Sequence, residues 1–585
     1  MTASSPPRPA AMPPAWSVVG RGADGRTAVV DLDAQGGELS RVVVDLEQLP
    51  QLIADREARG GPRWVWSDTP AWYDAVLRRG VRAGRCHDLR LVHTILQHSL
   101  LVADHGPIRA ARAWETGPPV PAEARSGEAT LFDLDRTAAT QGSVPHDLEA
   151  ALAELGRQRS AIDGSADPGR LRLLAAAESA GALVAAELHA AGIPWDVDEH
   201  DRILREALGP RPSPGQTPAR MAEAAAEVRA ALGDPLVSLD SPPKLLRALH
   251  RAGIDVESTS QWELTAHEHP AIEPLLRYKK LSRLLTANGW TWIDEWVHEG
   301  RYRPLYIPGG VVTGRWASNG GGALQIPRQL RPALRADPGW VLVNADVAQL
   351  EPRVLAAMAG DRAMAAAAAG TDLYAGIVAS GVVATRQEAK VGVLGALYGG
   401  TTGDSGRIVP RLRSTFPDAM GLVDEAARTG ERGGGVSTWL GRSSPEPDPA
   451  WIASQQRAHQ ADADPRDGER ARRAARDRGR FTRNFVVQGT AAEWALAWLA
   501  DLRLRLARLE AVEPVAAGSG PALGGRAHLA FFLHDEVIVH APREQAEAAA
   551  EAIREAAAAA GRLLFPGSPV DFPLDLQISE RSQKG

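Results

Sequence analysis

The 585 residues are 44% apolar and carry 66 basic against 72 acidic side chains, a net charge of −6. This excludes a disordered chain, predicts three or four domains at roughly 150 residues each, and confines any nucleic-acid surface to a local patch. The single cysteine, Cys86, excludes an internal disulfide or a cysteine-rich zinc site, and the proline-bearing start MTASSPPRPAAMPP lacks the apolar core of a signal peptide.

With no uncharged apolar run of about 18 residues, the chain is expected to be cytoplasmic, with no membrane partner. Residues 1–100 mix short β-like runs (27–30, 41–44, 64–66) with helical patterns such as 70–79, which predicts a small α/β unit. Polar, proline-bearing stretches around 115–145 read as a linker. From about 169 to 300 the pattern is helical, and LRLLAAAESAGALVAAELHAAG and PPKLLRALHRAG each stop at a glycine. Beyond 300, strand-like WVLVNAD and HLAFFLHDEVIVHAP alternate with long helical segments. The tracts 443–448 and 511–526 read as flexible or inserted.

Charge is uneven along the chain. Residues 301–336 carry Arg301, Arg303, Arg315, Arg328, Arg331 and Arg335 with no acid, and 466–483 carry eight arginines against Asp467, Glu469 and Asp477. Either patch alone reads as a solvated surface; two of them around one candidate site favour a phosphate-backbone track.

Three segments carry the chemistry. In WVLVNADVAQLEPRVLAAMAGD an apolar strand delivers Asp346, and Gln349, Glu351 and Arg353 open a helix that tolerates Pro352 because it falls in the first turn. In HLAFFLHDEVIVHAP two β runs flank His534, Asp535 and Glu536. Each acid alone reads as a cap or a turn former. Two ionised carboxylates about 4 Å apart would repel by roughly 4 kcal/mol at an effective dielectric near 20, so bringing Asp346 beside Asp535 calls for a divalent cation, and hard oxygen ligands favour Mg²⁺. In TRQEAKVGVLGALYGG, Arg386, Lys390, Leu394 and Tyr398 recur every four residues and share one helical face. Two cations and an apolar platform in that order suit a triphosphate. Gly392 and Gly395 each cost the helix about 1 kcal/mol, which predicts close approach of a backbone or a ligand.

DVAQLEPR, R-x3-K-x7-YG and HDE, in this order, resemble motifs A, B and C of family A DNA polymerases, the bacterial DNA polymerase I family. The likeness extends through TGRWAS at 313–318, LQIP at 324–327 and RFTRNFVVQGTAAE at 480–493, and ESTSQWELTAHEHPAIEPLLRYKKLSRL resembles the family's thumb. It covers roughly residues 170–580. The resemblance implies a multidomain α/β chain in which a small exonuclease-like (RNase H-like) domain precedes a palm, fingers and thumb. The boundaries expected are 1–115 for the exonuclease-like domain, 116–168 for a linker and connecting helix, 169–300 for the thumb, 301–362 and 481–585 for the palm, and 363–480 for the fingers.

The same resemblance implies a DNA-directed DNA polymerase that extends a primer 3′-OH with dNTPs and releases pyrophosphate. Its partners would be primer-template DNA and dNTPs. The chain is expected to act as a monomer in repair or gap filling, associated with the nucleoid. Asp346 and Asp535, followed by Glu536, would hold two Mg²⁺ ions, with Mn²⁺ able to substitute. Lys390 would share in catalysis, and Arg386 and Lys390 would bind the triphosphate. Glu351 would exclude a ribose 2′-hydroxyl, beside Gln349, Tyr374, Leu394 and Tyr398 in the nucleotide site. Arg315, Gln325, Arg480, Asn484, Gln488 and His534 take positions that contact primer and template.

Three departures bear on nucleotide selection. Leu394 stands where the family has an aromatic, Tyr374 replaces a histidine, and LQIP lacks an asparagine before Ile326. Two other readings stay open: a non-catalytic DNA-binding scaffold, and a phosphohydrolase built on the carboxylate pair.

Near the N-terminus, TPAWYDAVLRRGVRAGRCHDLRLVHTIL resembles the family's 3′-5′ exonuclease domain, with Asp74 and Asp88 at acidic positions. The candidate for its first-strand acid pair is Asp31 and Asp33, with a shorter second arm than the Asp-x-Glu that chemistry uses. No tyrosine lies between Asp88 and the thumb, so a structural module without proofreading is expected. The length ahead of it leaves no room for the family's 5′-nuclease domain, so primer removal is expected to need a partner.

Overall fold

Buried β-branched residues build the first sheet. Val18, Val19, Val29, Val30 and Val65 are each at most 1% exposed, in strands β1 (Trp16–Arg21), β2 (Thr27–Leu32), β3 (Glu38–Val44), β4 (Arg63–Trp66) and β5 (Arg85–Asp88). The order is β3-β2-β1-β4-β5. β1 to β3 form an antiparallel meander, and β4 and β5 run parallel to β1. Parallel neighbours need a crossover, supplied here by helices α1 (Leu49–Glu57) and α2 (Thr69–Arg78); α3 (Leu89–Leu96) follows β5. The α/β unit expected for the first hundred residues is therefore present. One reading is corrected: Asp31 lies on the second strand, Asp33 follows it, and the first strand, WSVVGR, carries no acid.

The computed structural model describes residues 13–115, 143–213, 215–319, 321–322, 326–400 and 403–582. Gln325 and most of the expected linker lie outside these residues. The chain divides into two compact units, 1–192 with 305–319 and 339–578, and 193–304 with 320–338 and 579–585.

In the first unit, α4 (Leu148–Asp163) and α5 (Pro168–Ala191) start on the aspartate caps Asp147 and Asp167. The helices from 197 to 296 lie in the second unit, whereas α5 lies in the first. It is buried nearly all round, and its acids Glu178 and Glu187 are held by Arg442 at 2.6 Å and by Arg82 and Arg503 at 2.7 Å each. A hairpin of β6 (Leu305–Ile307) and β7 (Ala317–Asn319) precedes the second sheet. That sheet comprises β8 (Trp340–Val347), β9 (His528–Leu533), β10 (Glu536–Pro542) and β11 (Leu574–Ser579) in the order β9-β10-β8-β11.

Around this sheet lie α6 (Leu350–Ala359), α7 (Leu373–Ala379), α8 (Arg386–Tyr398), α9 (Gly403–Thr415), α10 (Pro417–Glu431), α11 (Pro449–Ala458), the 42-residue α12 (Pro465–Leu506) and α13 (Ala546–Leu564). Parts of the tracts read as flexible or inserted are packed. Ser443 and Ser444 are buried, and Ser443 Oγ accepts from Leu100 N at 2.9 Å. Across 511–526, Val512 and Ala516 donate to Gly525 and Gly524 at 2.8 Å each, closing a loop over buried Ala516 and Leu523. Glycine and proline content marked turns here, and buried partners fixed them.

The second unit is helical, with helices Val197–Leu208, Ala219–Leu232, Pro242–Arg251 and Ile272–Asn288. Met221, Val228, Leu245, Leu249 and Leu275 form its core, and Trp195, His200, Trp292 and Tyr302 form an aromatic cluster.

Candidate active site

The second sheet brings the two acidic segments together through its register. Asp346, near the end of β8, pairs directly with Glu536, the first residue of β10. The β9–β10 turn then lies beside the end of β8, where Val347 N donates to Asp535 O at 2.9 Å. Directly opposed residues share a sheet face, so Asp346 and Glu536 do; Glu536 is buried, while Asp346 and Asp535 are half-buried. His534 makes the turn with φ 55°. Crowding by the protein, and then the Arg315 guanidinium, lower its pKa.

The chain leaves β8 through Gln349, at φ 49°, whose Oε1 accepts from Leu373 N at 3.1 Å. Arg353 then anchors α6. Its fully buried guanidinium donates to the carbonyls of Ala348, Ala368, Asp571 and Gly370 at 2.6–2.9 Å, and burial lowers its pKa. The sequence placed Arg353 at the helix start, but nothing in it signalled this latch, whose acceptors are scattered backbone carbonyls.

α8 starts on a Thr385–Glu388 capping box and ends at Gly399 with φ 73°. The face predicted from the four-residue spacing is the open one: Arg386, Lys390 and Tyr398 are exposed and Leu394 is half-buried. The close approach expected at the glycines comes from α9. A Cβ on Gly392 would lie 2.4 Å from Ile408 Cγ2, and one on Gly395 2.5 Å from Ser405 Oγ.

A cleft of about 290 Å³ collects Arg315, Gln349, Glu351 and Tyr374 with Leu394, Tyr398, His534 and Asp535. Trp316, Phe532 and three alanines of α12 form its apolar wall; the sequence reading had assigned them no role. At its floor Glu351 accepts from the Tyr398 hydroxyl at 2.7 Å and pairs with Arg315. Burial and then Glu351 raise the Tyr398 pKa.

Arg386 and Lys390 are not among the lining side chains. Arg386 is turned to Asp372 at 2.6 Å and lies 5.5 Å over the Tyr374 ring; Asp372 also caps α7. Asp372 was missed because its partner lies fourteen residues away, a spacing with no helical or strand period. Arg480, Asn484 and Gln488, four residues apart on α12, share one face, and Arg480 pairs with Asp477.

Among the described residues no three His, Cys, Asp or Glu side chains converge as a cation cage. Asp535 instead offers hard carboxylate oxygens to the open cleft, and Asp346, on the strand beside its turn, is not among the lining residues. That donor set suits Mg²⁺, which keeps several waters and is bound through one or two carboxylates plus substrate phosphates.

Residues 216–580 match the family model for DNA polymerase family A. The chain belongs to this family. Among curated family A proteins, DNA polymerase I of Chloroflexus aurantiacus is 30% identical over 318 residues, covering 49% of this chain and 30% of that protein. The thermostable DNA polymerase I of Thermus aquaticus is 28% identical over 353 residues, covering 55% and 37%. The chain thus spans about a third of the length of these relatives. A solved structure, the POL domain of Pol1 from M. smegmatis in complex with DNA primer-template and dNTP, superposes with a TM-score of 0.63 at 18% identity. It covers 97% of this chain and 94% of that one, which establishes the shared fold. No helix among the described residues is long and apolar enough to cross a membrane.

Proposed function

We propose that this chain is a template-directed DNA polymerase that extends a primer 3′-OH with dNTPs and releases pyrophosphate, acting in repair or gap filling. The observation that carries this reading is the cleft, in which the turn carboxylate Asp535, Glu351 and the apolar end of α8 meet. In this reading the β8–β11 sheet is the palm, α8 to α10 belong to the fingers, and the helical second unit is the thumb.

Asp346 and Asp535 would hold two Mg²⁺ ions, with Glu536 opposite Asp346; such ions polarise an attacking oxygen and neutralise a leaving phosphate. Arg386 and Lys390, on the exposed face of α8, attract the triphosphate and offset the charge that builds on the leaving group. Leu394 and Tyr398 supply the surface on which the base and sugar rest, and Glu351 fills the space a 2′-hydroxyl would need. Arg315, Arg480, Asn484, Gln488 and His534 would position primer and template.

Primer extension with and without Mg²⁺ tests the reading. Template-directed addition that requires the cation is expected. DNA binding without extension in Mg²⁺ or Mn²⁺ would leave a non-catalytic scaffold, and release of inorganic phosphate without DNA would favour a phosphohydrolase.

A further inference from the structure

The amino-terminal half of α12 extends beyond the residues placed in the cleft, and its two sides differ. α11 packs on one of them. Trp451 Nε1 donates to Ala474 O at 3.1 Å, Gln455 Nε2 donates to Ala471 O at 2.9 Å, and Arg478 lies 5.9 Å over the Trp451 ring. A different face, turned roughly a third of a turn away at 100° per residue, presents Arg466, Arg470, Arg473 and Arg480, all exposed. Their spacing of four, three and seven residues sets them in a line about 21 Å long. Arg476 lies at its edge. The acids on that side are Glu469 and Asp477, and Asp467 pairs with Arg470 at 3.6 Å, so three acids stand against five arginines and the face stays cationic.

The line begins at the cleft. A Cβ on Gly399 would sit 2.8 Å from Arg480 Cγ, so the Arg480 stem lies against the cap of α8, one residue beyond Tyr398. From there the arginines lead away along α12. A duplex strand turns about its axis once in roughly 34–36 Å and would leave a straight 21 Å line after about half a turn. An extended single strand can follow it throughout.

Building on the polymerase reading, we propose that this face of α12 is a rail for the phosphodiester backbone of single-stranded template ahead of the cleft. It adds sequence-independent affinity through Arg466, Arg470 and Arg473, outside the nucleotide site.

The test compares the protein with its Arg466→Gln/Arg470→Gln/Arg473→Gln variant. Binding of fluorescent hairpin primer-templates with a long or a single-nucleotide 5′ overhang is measured by anisotropy without dNTPs, from low to physiological salt. The protein should bind the long overhang several-fold tighter, and the variant should lose that gain while binding the short overhang as before. Three lost single-strand phosphate contacts should also flatten its log–log salt slope by about 2. Equal binding of the long overhang by both proteins would overturn the proposal. So would an equal loss on both substrates, which would make the duplex the occupant. Matching melting curves exclude misfolding of the variant. Extension of the short-overhang substrate by the unmodified protein checks the polymerase reading separately, because the overhang dependence is read without catalysis.

Discussion

Tyr398 donates its hydroxyl to Glu351 Oε2 across 2.7 Å, so the last residue of α8 and the first turn of α6 close the cleft floor together. Arg315 holds the other oxygen of the same carboxylate. Glu351→Ala should therefore raise ribonucleotide incorporation by about tenfold, equivalent to roughly 1.4 kcal/mol of discrimination. Tyr398→Phe should move the ratio in the same direction but less, because Arg315 still holds Glu351. Competitive rNTP and dNTP incorporation measures both, and unchanged ratios would place the gate elsewhere.

The carboxylate pair makes a sharper demand. Asp346→Asn or Asp535→Asn should abolish extension while primer-template binding stays within a few-fold, since in the polymerase reading exposed arginines would supply most phosphate contacts. Retained extension in either variant would remove that residue from the metal site.

The segments of the candidate site were legible in sequence because each carries a local period. Apolar β8 and β9 announce strands, and the four-residue spacing from Arg386 to Tyr398 announces one helical face. The cleft itself was not legible. Trp316, Phe532 and the α12 alanines read as ordinary core until packing turns them inward. Asp372 and Arg353 act through partners set by tertiary structure, which no spacing rule reports. The Asp31–Asp33 pair misled for a related reason: VVDLD reads as a strand, but sequence alone does not number the strands of a sheet.

Leu394 is half-buried and lines the cleft with Tyr398. Aromatic packing adds roughly 1 kcal/mol beyond area burial, so Leu394→Phe should lower the KM for dNTPs several-fold with little change in kcat. Steady-state single-nucleotide insertion reads this directly. A KM that stays the same or rises would mean that the wall of Trp316 and Phe532 is already fitted to leucine.

Glu187 ties the amino-terminal sheet domain to α12. It accepts from Tyr73 Oη at 2.7 Å and pairs with Arg82 and Arg503. Burial pushes its pKa up, but Arg503 and Arg82 outweigh burial and hold it at about 2, below the ordinary 4.5. A depressed acid stabilises the fold above its unfolded pKa, and that contribution is lost as pH falls from about 4.5 toward 2. Arg503→Met should cost about 3 kcal/mol near neutral pH, as breaking a buried pair does. The gap in melting temperature between the two proteins should then narrow as pH falls through that window. A gap independent of pH would show that Arg503 acts through packing alone.

The amino-terminal domain should not proofread. Two-metal exonuclease chemistry needs several carboxylates free to meet at one place, and here Asp31, Asp33 and Asp88 are each engaged in hydrogen bonds. Asp31 is buried on β2 and accepts from Ser17 at 2.6 Å, Ser40 at 2.7 Å and Arg56 at 2.9 Å. Asp33 accepts from Gly37 N at 2.7 Å. Asp88 caps α3, taking Leu91 N at 3.0 Å and Thr69 N at 2.8 Å; burial and then neighbouring Asp68 raise its pKa. Asp74 is half-buried on α2, and burial raises its pKa as well. These bonds hold the sheet domain together, and among the described residues no three of its acids converge as a metal group. A mismatched, labelled primer-template incubated with Mg²⁺ or Mn²⁺ and no dNTPs should keep its length. Shortening that disappears on Asp74→Ala would show that the domain still cuts.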